Sequence, residues 1–307
     1  YEKQKRALHN LLEKQSGDGG IPATGTAEPS GIWTTASTLD ATMDCLRPGD
    51  VPYERTEGLV DFLLANQIGE HLKTRKAQVG GWALVQGGSP CTMATGHAMA
   101  ALNKAAMIFP HKAEVIDAAV GKGVQWLEQN RRRDGSWSSI PSDTEKSGDG
   151  RLIAIHYAIH GLLSCRQGNA RPNLIRSACE YLVKWRNKDG SWGAAPGQPG
   201  SVSDTSRAVI SLLASNAVTP DTEIIRSAKQ FLLKKFTNRY SSWDLDTEIF
   251  FVKDAPAQTV LNRNSTCDAI QALAEIGEIE SEMIIVGLGE SKALEQEVPQ
   301  SAYGKEM

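Results

Sequence analysis

The sequence predicts an all-α protein built from about five helical hairpins that stack side by side. Three observations in the 307-residue chain support this fold class. A Gly-Ser-Trp-like turn recurs at a regular spacing, an amphipathic helix pattern precedes each turn, and a helix rich in small residues follows it. Because one hairpin cannot bury its own apolar face, such units are stable only when they stack on one another.

The recurring turn is marked by a tryptophan. Trp82, Trp137, Trp192 and Trp243 are separated by 55, 55 and 51 residues. The string Gly19-Gly20-Ile21 is predicted to be an earlier copy that lacks the tryptophan. We expect the tryptophan rings to wedge between adjacent hairpins, because a large aromatic side chain buries much apolar surface.

The helix before each turn is amphipathic. Its apolar residues recur at spacings of three and four, which is the pattern of a helix with one buried face. The copies are marked by Leu8 and Leu12, Leu59 and Leu63, Val120 and Val124, Ala178 and Leu182, and Ala228 and Leu232.

The helix after each turn is rich in small residues. Several copies begin with Ser, Thr or Asp, whose side chains accept hydrogen bonds from the free N–H groups of a first helical turn. Small residues let neighbouring helices approach closely, so this second set is predicted to be the more buried, inner one. The copies begin near Thr34, Cys91, Arg151, Ser203 and Ser265.

The last part of the chain departs from the repeat. Two short apolar runs within residues 248–262 predict a small β-hairpin on the rim. Residues 1–290 are predicted to form one repeat domain. Residues 291–307 are polar and are expected to form a loosely ordered tail.

Composition and charge exclude several classes of function. Charged residues make up 22% of the chain, hydrophobic residues 40%, and the net charge is −3, which argues against nucleic acid as the main partner. No run approaches the roughly 20 apolar residues that a membrane span requires. The five cysteines are dispersed without a CxxC pair, which predicts reduced thiols in a cytoplasmic protein without a structural zinc site. No cofactor is expected.

Two turns with their preceding helices resemble the QW motif of squalene–hopene cyclases. They are Gln125–Gln129 with Asp134-Gly135-Ser136-Trp137, and Tyr181–Trp185 with Asp189-Gly190-Ser191-Trp192. The chain therefore resembles the terpenoid cyclase and protein prenyltransferase α/α-toroid superfamily over roughly residues 5–280. The resemblance implies an outer ring of helices around an inner ring, with a ligand in or over the inner cavity. Closed members have six hairpins, so five hairpins imply either an open ring or a further segment that closes it.

The resemblance also identifies the place of the cyclase acid. Class II cyclases protonate an alkene with the central Asp of a DxDD motif at the start of an inner helix. The aligned stretch here is Ser201-Val202-Ser203-Asp204, so Ser203 occupies the protonating position. A hydroxyl is too weak an acid for that step. Asp204, which matches the last Asp of the motif, is the remaining candidate catalytic residue.

Two other family motifs have only partial matches. Asp244–Thr247 matches a DxDT variant, but it follows the Trp243 turn instead of opening an inner helix, so a solvated turn is favoured. Prenyltransferase β-subunits bind zinc through an Asp, a Cys two residues later and a distant His. Cys267-Asp268 has the reversed order and no downstream His, so no metal site is predicted.

The ends of the inner helices carry polar and charged residues, which suit a polar or anionic ligand or a protein segment. The candidate ligand-binding residues are His97, Arg151, His156, Arg207 and Asp268. The arginines are expected to bind phosphate or carboxylate through two parallel hydrogen bonds. A packing role is the alternative for the histidines, and an ion pair with an aspartate of the inner ends is the alternative for the arginines.

Two functions remain open from the sequence. The first is a non-catalytic recognition module that binds a protein segment or a polar or anionic ligand at the inner mouth, either alone or within a larger chain or assembly. The second is a class II terpene cyclase or prenyltransferase-like enzyme, with Asp204 in the acid site and Arg151 or Arg207 holding a diphosphate. A carbohydrate-active toroid is a third reading, because Asp204 and Asp268 open successive inner helices and paired carboxylates hydrolyse glycosides.

Overall fold

The structure is a computed structural model. It describes residues 1–22, 29–70, 78–139, 151–166, 170–237, 242–243 and 263–277. Within these residues the chain forms ten α-helices that follow one another as five hairpins, which confirms the predicted all-α class. The predicted β-hairpin at 248–262 and the predicted tail at 291–307 lie outside the described residues.

The first helix of each hairpin buries one face, as the three- and four-residue spacing of its apolar residues predicts. In α7 and α9, for example, the buried residues are spaced in this way along one side of the helix. These helices are α1 (Glu2–Leu12), α3 (Tyr53–Ala65), α5 (Ala113–Gln129), α7 (Pro172–Trp185) and α9 (Glu223–Lys235).

In the first four hairpins the second helix is the more buried one, as predicted. In α4 and α8 nearly every residue is buried, because each lies between neighbouring inner helices and its own outer helix. Successive inner helices pack against one another in chain order. They are α2 (Ile32–Cys45), α4 (Thr92–Ala105), α6 (Leu152–Leu163), α8 (Val202–Ala214) and α10 (Arg263–Ile276).

The Asp-Gly-Ser-Trp turn is closed by its own side chains. Asp134 Oδ1 accepts hydrogen bonds from the backbone N–H of Ser136 at 2.9 Å and from its hydroxyl at 2.6 Å. Gly135 between them has a φ of +94°, which glycine adopts without steric cost. Asp189 and Ser191 repeat the arrangement at 3.1 and 2.6 Å. The motif is therefore a turn signal with a local physical cause.

The turn tryptophans are packing residues, as predicted. The rings of Trp82, Trp137 and Trp192 are fully buried. Each indole N–H donates to a backbone carbonyl of the preceding outer helix. The acceptors are Leu63, Leu127 and Leu182, at 2.7, 2.8 and 2.8 Å.

Ile21 takes the place of the tryptophan in the first hairpin. Its backbone N–H donates to Thr35 Oγ1 on α2 at 2.9 Å. In the second hairpin, the backbone N–H of Trp82 donates to Thr95 Oγ1 on α4 at 3.0 Å. The shared hydrogen bond confirms that the turn around Gly20 is a copy of the repeat.

Each of the first four turns is joined to the next outer helix by two contacts. A glycine with positive φ lies so close to that helix that an added Cβ would meet its backbone at 2.6 to 3.0 Å; these are Gly19, Gly80, Gly135 and Gly190. A side chain near the start of the turn also donates to that helix, from Gln15 to Arg55 O, Gln67 to Ala119 O, Arg131 to Ser177 Oγ and Arg186 to Ser227 Oγ. These contacts hold successive hairpins in register.

Two short antiparallel strand pairs complete the described structure. β1 (Ile21–Pro22) pairs with β2 (Ser30–Gly31) between the first turn and α2. β3 (Phe236–Thr237) pairs with β4 (Ser242–Trp243) at the fifth turn. Both pairs lie in the connections that join an outer helix to an inner helix.

Candidate functional site

The five inner helices form one curved wall, and side chains on its concave side meet across helices. Trp33 on α2 contacts Tyr157 on α6, with ring centroids 4.8 Å apart, although α4 packs between these two helices. Only side chains that project from the concave side can make such a contact. We call this side the inner mouth and define it by the residues described below.

The close packing of α4 on α6 rests on two glycines. A Cβ on Gly161 would lie 2.6 Å from the carbonyl oxygen of Gly96, and a Cβ on Gly96 would lie 2.0 Å from that of Tyr157. Only glycine permits this approach of two backbones. The contact brings His97 and Tyr157 onto each other, with centroids 5.2 Å apart in a stacked arrangement.

An aromatic corner lies in the inner mouth, and we define it as Trp33 and Tyr157. The two rings are nearly perpendicular, at 79°, and both are partly exposed. His97 fills the base of the corner, with its ring edge-on to Trp33 at 4.8 Å. His97 is 6% exposed, and its Nδ1 has no hydrogen-bond partner among the described residues.

An ion-pair network on α2 and α4 borders the aromatic corner. Lys104 Nζ lies 2.8 Å from Asp40 and 2.6 Å from Asp44, and His97 Nε2 lies 3.4 Å from Asp40. Burial opposes ionisation of Asp40, but hydrogen bonds from His97 and Lys104 outweigh it and hold the pKa of this carboxyl far below its ordinary value. Burial would lower the pKa of Lys104, but its two carboxylate partners raise it. Lys104 and Asp40 are therefore a charged pair at neutral pH.

A second ion pair joins α8 to α10. Arg207 donates to Asp268 Oδ2 at 2.9 Å, and the hydroxyl of Ser203 donates to the same oxygen at 2.9 Å. Ser203 is the residue aligned with the protonating acid of the cyclase motif. At that place the structure has a hydroxyl, bonded to a carboxylate that an arginine neutralises.

Two histidines on α6 lie between these charged groups. The His156 pKa is lowered to about 3, first by burial and then by the positive charge of His160 and Arg207. Burial also lowers the pKa of His160. His156 Nδ1 lies 3.0 Å from Ser211 Oγ on α8. Burial raises the pKa of Tyr157 to about 12, so its hydroxyl stays protonated at neutral pH.

Asp204, the candidate acid, is part of a helix cap. The hydroxyl of Ser201 donates to Asp204 Oδ2 at 2.7 Å, and the backbone N–H of Asp204 donates to Ser201 Oγ at 3.0 Å. The Ser201 side chain thus caps the first turn of α8 and is itself held by the Asp204 carboxylate. Asp204 is 2% exposed.

The structure brings four of the predicted binding residues together in the inner mouth, namely His97, His156, Arg207 and Asp268. Arg151 is separate from them: it is the N-cap of α6, and its guanidinium forms no ion pair with the described residues. The expected alternative of an ion pair is thus realised for Arg207, with Asp268 as its partner.

Sequence reasoning missed six residues of the inner mouth. A signal was present on α2, where Trp33, Ser37, Asp40 and Asp44 follow one another at spacings of four, three and four and so lie on one helix face. That face is more polar than the buried faces of the outer helices, so it did not resemble a core. The missed residues are Trp33, Asp40, Asp44, Lys104, Tyr157 and His160.

The described residues contain neither a metal-binding cluster nor a membrane-spanning helix. Within the described ranges, no group of three His, Cys, Asp or Glu side chains is close enough together to hold a metal ion. No helix in the described part of the chain has both the length and the apolar character needed to cross a membrane.

Two curated proteins are similar to parts of the sequence. Alpha-onocerin synthase from Lycopodium clavatum is 31% identical over 104 residues, which is 34% of this chain and 12% of that protein. Lanosterol synthase from Aspergillus fumigatus is 28% identical over 162 residues, which is 48% of this chain and 20% of that protein. The matched regions thus span a fifth or less of the two relatives. No protein-family model matches the sequence.

Solved structures decide the fold. An ent-copalyl diphosphate synthase from Streptomyces platensis superposes with a TM-score of 0.58 at 20% identity, over 88% of this chain and 46% of that chain. The chain has the α/α-toroid fold. A protein geranylgeranyltransferase-I from Candida albicans gives a TM-score of 0.54 at 12% identity, over 89% of this chain and 78% of that chain. These matches confirm the predicted α/α-toroid fold, and together with the two curated relatives they support the predicted resemblance to the terpenoid cyclase and prenyltransferase superfamily.

The α/α toroid is also shared with carbohydrate-active proteins. A polysaccharide lyase superposes with a TM-score of 0.62 at 11% identity, over 91% of this chain and 84% of that chain. At such low identity the likeness concerns the fold alone. The function of this toroid therefore has to be argued from its inner mouth.

Proposed function

We propose that this α/α toroid is a non-catalytic recognition module that binds a protein segment or a polar or anionic ligand at its inner mouth. The observation that carries the proposal is the hydrogen bond from Ser203 to Asp268. A cyclase acid must deliver a proton from this position, whereas Ser203 carries a hydroxyl bonded to the carboxylate that pairs with Arg207.

The environment of Asp204 supports the same proposal. Its carboxylate accepts the Ser201 hydroxyl within the cap of α8. A general acid has to reach its substrate within hydrogen-bond distance. The capping role explains the presence of Asp204 without catalysis.

The experiment that tests the proposal is a search for turnover. The protein is incubated with prenyl diphosphates and with polyprenes, and products are sought by mass spectrometry. We expect none. Formation of a cyclised or transferred product by the wild type, lost in Asp204→Asn, would overturn the proposal. Asn at this position still accepts the Ser201 hydroxyl, so the cap is retained in the variant.

A cyclase or prenyltransferase-like enzyme is the second candidate function. It is favoured by the sequence similarity to two terpene cyclases and by the presence of an aspartate at position 204. In this case Asp204 belongs to the acid site and Arg151 or Arg207 holds a diphosphate. The same turnover experiment separates the two candidates.

The proposal also covers the boundaries of the domain and the cellular compartment of the protein. We assign the module to residues 1–290 and the tail to residues 291–307. All five cysteines are free thiols, which supports a reducing, cytoplasmic environment.

A further inference from the structure

We infer that the ligand of the inner mouth is a protein segment that places an aromatic or proline side chain in the corner of Trp33 and Tyr157. This inference rests on the proposed recognition function and names the class of partner. It is carried by three properties of the inner mouth: the geometry of the corner, the balance of its charges and the protonation of its neutral groups.

The aromatic corner offers two perpendicular surfaces. Trp33 and Tyr157 meet at 79° with centroids 4.8 Å apart, and each ring keeps part of its surface exposed. His97 supports both rings from below. A rigid base and two partly exposed rings suit a compact, flat side chain, because aromatic contacts are strongest when no conformational freedom is lost on binding.

The charges of the inner mouth disfavour a polyanion. Asp40, Asp44 and Asp268 are matched by Lys104 and Arg207, at 2.6 to 2.9 Å. These five groups sum to −1. A diphosphate site needs an excess of positive charge. A segment that is nearly neutral, or that carries both signs, complements this surface better.

The neutral groups of the inner mouth suit a peptide backbone. Tyr157 keeps its proton at neutral pH and offers an O–H donor, because burial raises its pKa to about 12. His156 is uncharged, because its pKa is lowered to about 3. Its Nδ1 already contacts Ser211, so Nε2 is the ring nitrogen that can bond an N–H or C=O group of an extended chain.

The test uses the whole chain as bait and a displayed library of short random peptides as the probe. Enriched peptides are synthesised, and their affinity is measured by fluorescence anisotropy. We expect an enriched sequence with an aromatic residue or proline, and a loss of affinity of roughly tenfold or more for Trp33→Ala. Trp33→Phe, which keeps an aromatic surface, is expected to retain most of the binding.

The matched control is Tyr53→Ala, which removes a 47%-exposed aromatic ring from the outer helix α3. It should leave the affinity within about twofold of the wild type. Thermal melting by circular dichroism establishes that each variant is folded. Equal loss of binding in Tyr53→Ala and Trp33→Ala would overturn the inference.

A second arm titrates inorganic pyrophosphate into the same protein by calorimetry. Saturable pyrophosphate binding that weakens in Arg207→Lys would show that the ligand is an anion and would overturn the inference, while leaving a recognition function intact. Failure to enrich any peptide that depends on Trp33 would also overturn it. Product formation in the turnover experiment would instead overturn the proposed function itself.

Discussion

Ser203 on α8 places a hydroxyl where the aligned cyclase motif has a carboxylic acid. Ser203 is 5% exposed, and its hydroxyl donates to Asp268 Oδ2 at 2.9 Å. The same oxygen accepts the guanidinium of Arg207 at 2.9 Å. Arg207 is already paired with Asp268, so a carboxylate at position 203 would place a second negative charge beside Asp268.

We predict that Ser203→Asp destabilises the protein by about 1–3 kcal/mol at neutral pH, because it places a second buried negative charge against Asp268. The loss should shrink below about pH 4, where carboxylates become protonated. Chemical denaturation at neutral pH and below about pH 4 measures the free energy of unfolding of the variant and of the wild type.

Ser203→Asn is the matched control, since it has a similar size without the charge. Its effect on the free energy of unfolding should be smaller and independent of pH. A pH-independent loss in Ser203→Asp would show that size, and not charge, is the cause.

At the scale of the element, the turn glycines couple the hairpins. Gly190 has a φ of +87°, and an added Cβ would lie 2.7 Å from the backbone of Ser227 on α9. Arg186 reinforces this contact by donating to Ser227 Oγ at 2.9 Å. Nearest-neighbour contacts of this kind determine the stability of repeat proteins.

We predict that Gly190→Ala lowers the free energy of unfolding by about 2–4 kcal/mol, because it combines backbone strain with a clash against α9. Gly197→Ala is the control: its φ is +77°, but nothing lies within 4 Å of the added Cβ. It should cost only about 1 kcal/mol. Equal losses in urea denaturation would refute a coupling role for Gly190.

The side-chain contact gives a separate prediction. Arg186→Ala removes one hydrogen bond between hairpins, and we expect a loss of about 0.5–1.5 kcal/mol. Arg226→Ala is the control, since Arg226 pairs with Glu223 within the same helix, at 3.6 Å and on an exposed surface. Thermal melting should show a clear decrease in Tm for the first variant and almost none for the second.

At the scale of the whole molecule, the histidines of the inner mouth make the free energy of unfolding depend on pH. His156 has a folded pKa of about 3, below its ordinary 6.5. The unfolded state therefore takes up this proton more readily than the folded state. The stabilisation is complete above about pH 6.5 and is lost as the pH falls towards 3.

We predict that the free energy of unfolding falls by about 1.4 kcal/mol per pH unit between pH 6 and pH 4 for this one group. His160, whose pKa is lowered in the same direction, adds to the slope. His156→Gln should reduce the slope while keeping a partner for Ser211. An unchanged slope in that variant would contradict the assignment.

The sequence by itself determined the scaffold of this protein. The Asp-Gly-Ser-Trp turn is a local structure, since Asp134, Gly135 and Ser136 form its hydrogen bonds and its positive φ within three residues. The apolar spacing of the outer helices is local as well. Local patterns can be recognised without knowledge of distant contacts, so the number and order of the hairpins followed from the sequence.

Only the tertiary structure decided the composition of the inner mouth. Trp33 and Tyr157 are 124 positions apart in the chain and meet because α2, α4 and α6 curve around one side. Gly96 and Gly161 permit the close approach of α4 and α6, and neither glycine is marked by a motif. Likewise, Asp204 was a candidate acid in the sequence, and only the structure showed its carboxylate bonded to Ser201, the N-cap residue of α8. Contacts between distant segments carry no local pattern, which is the physical reason that the scaffold was predictable and the site was not.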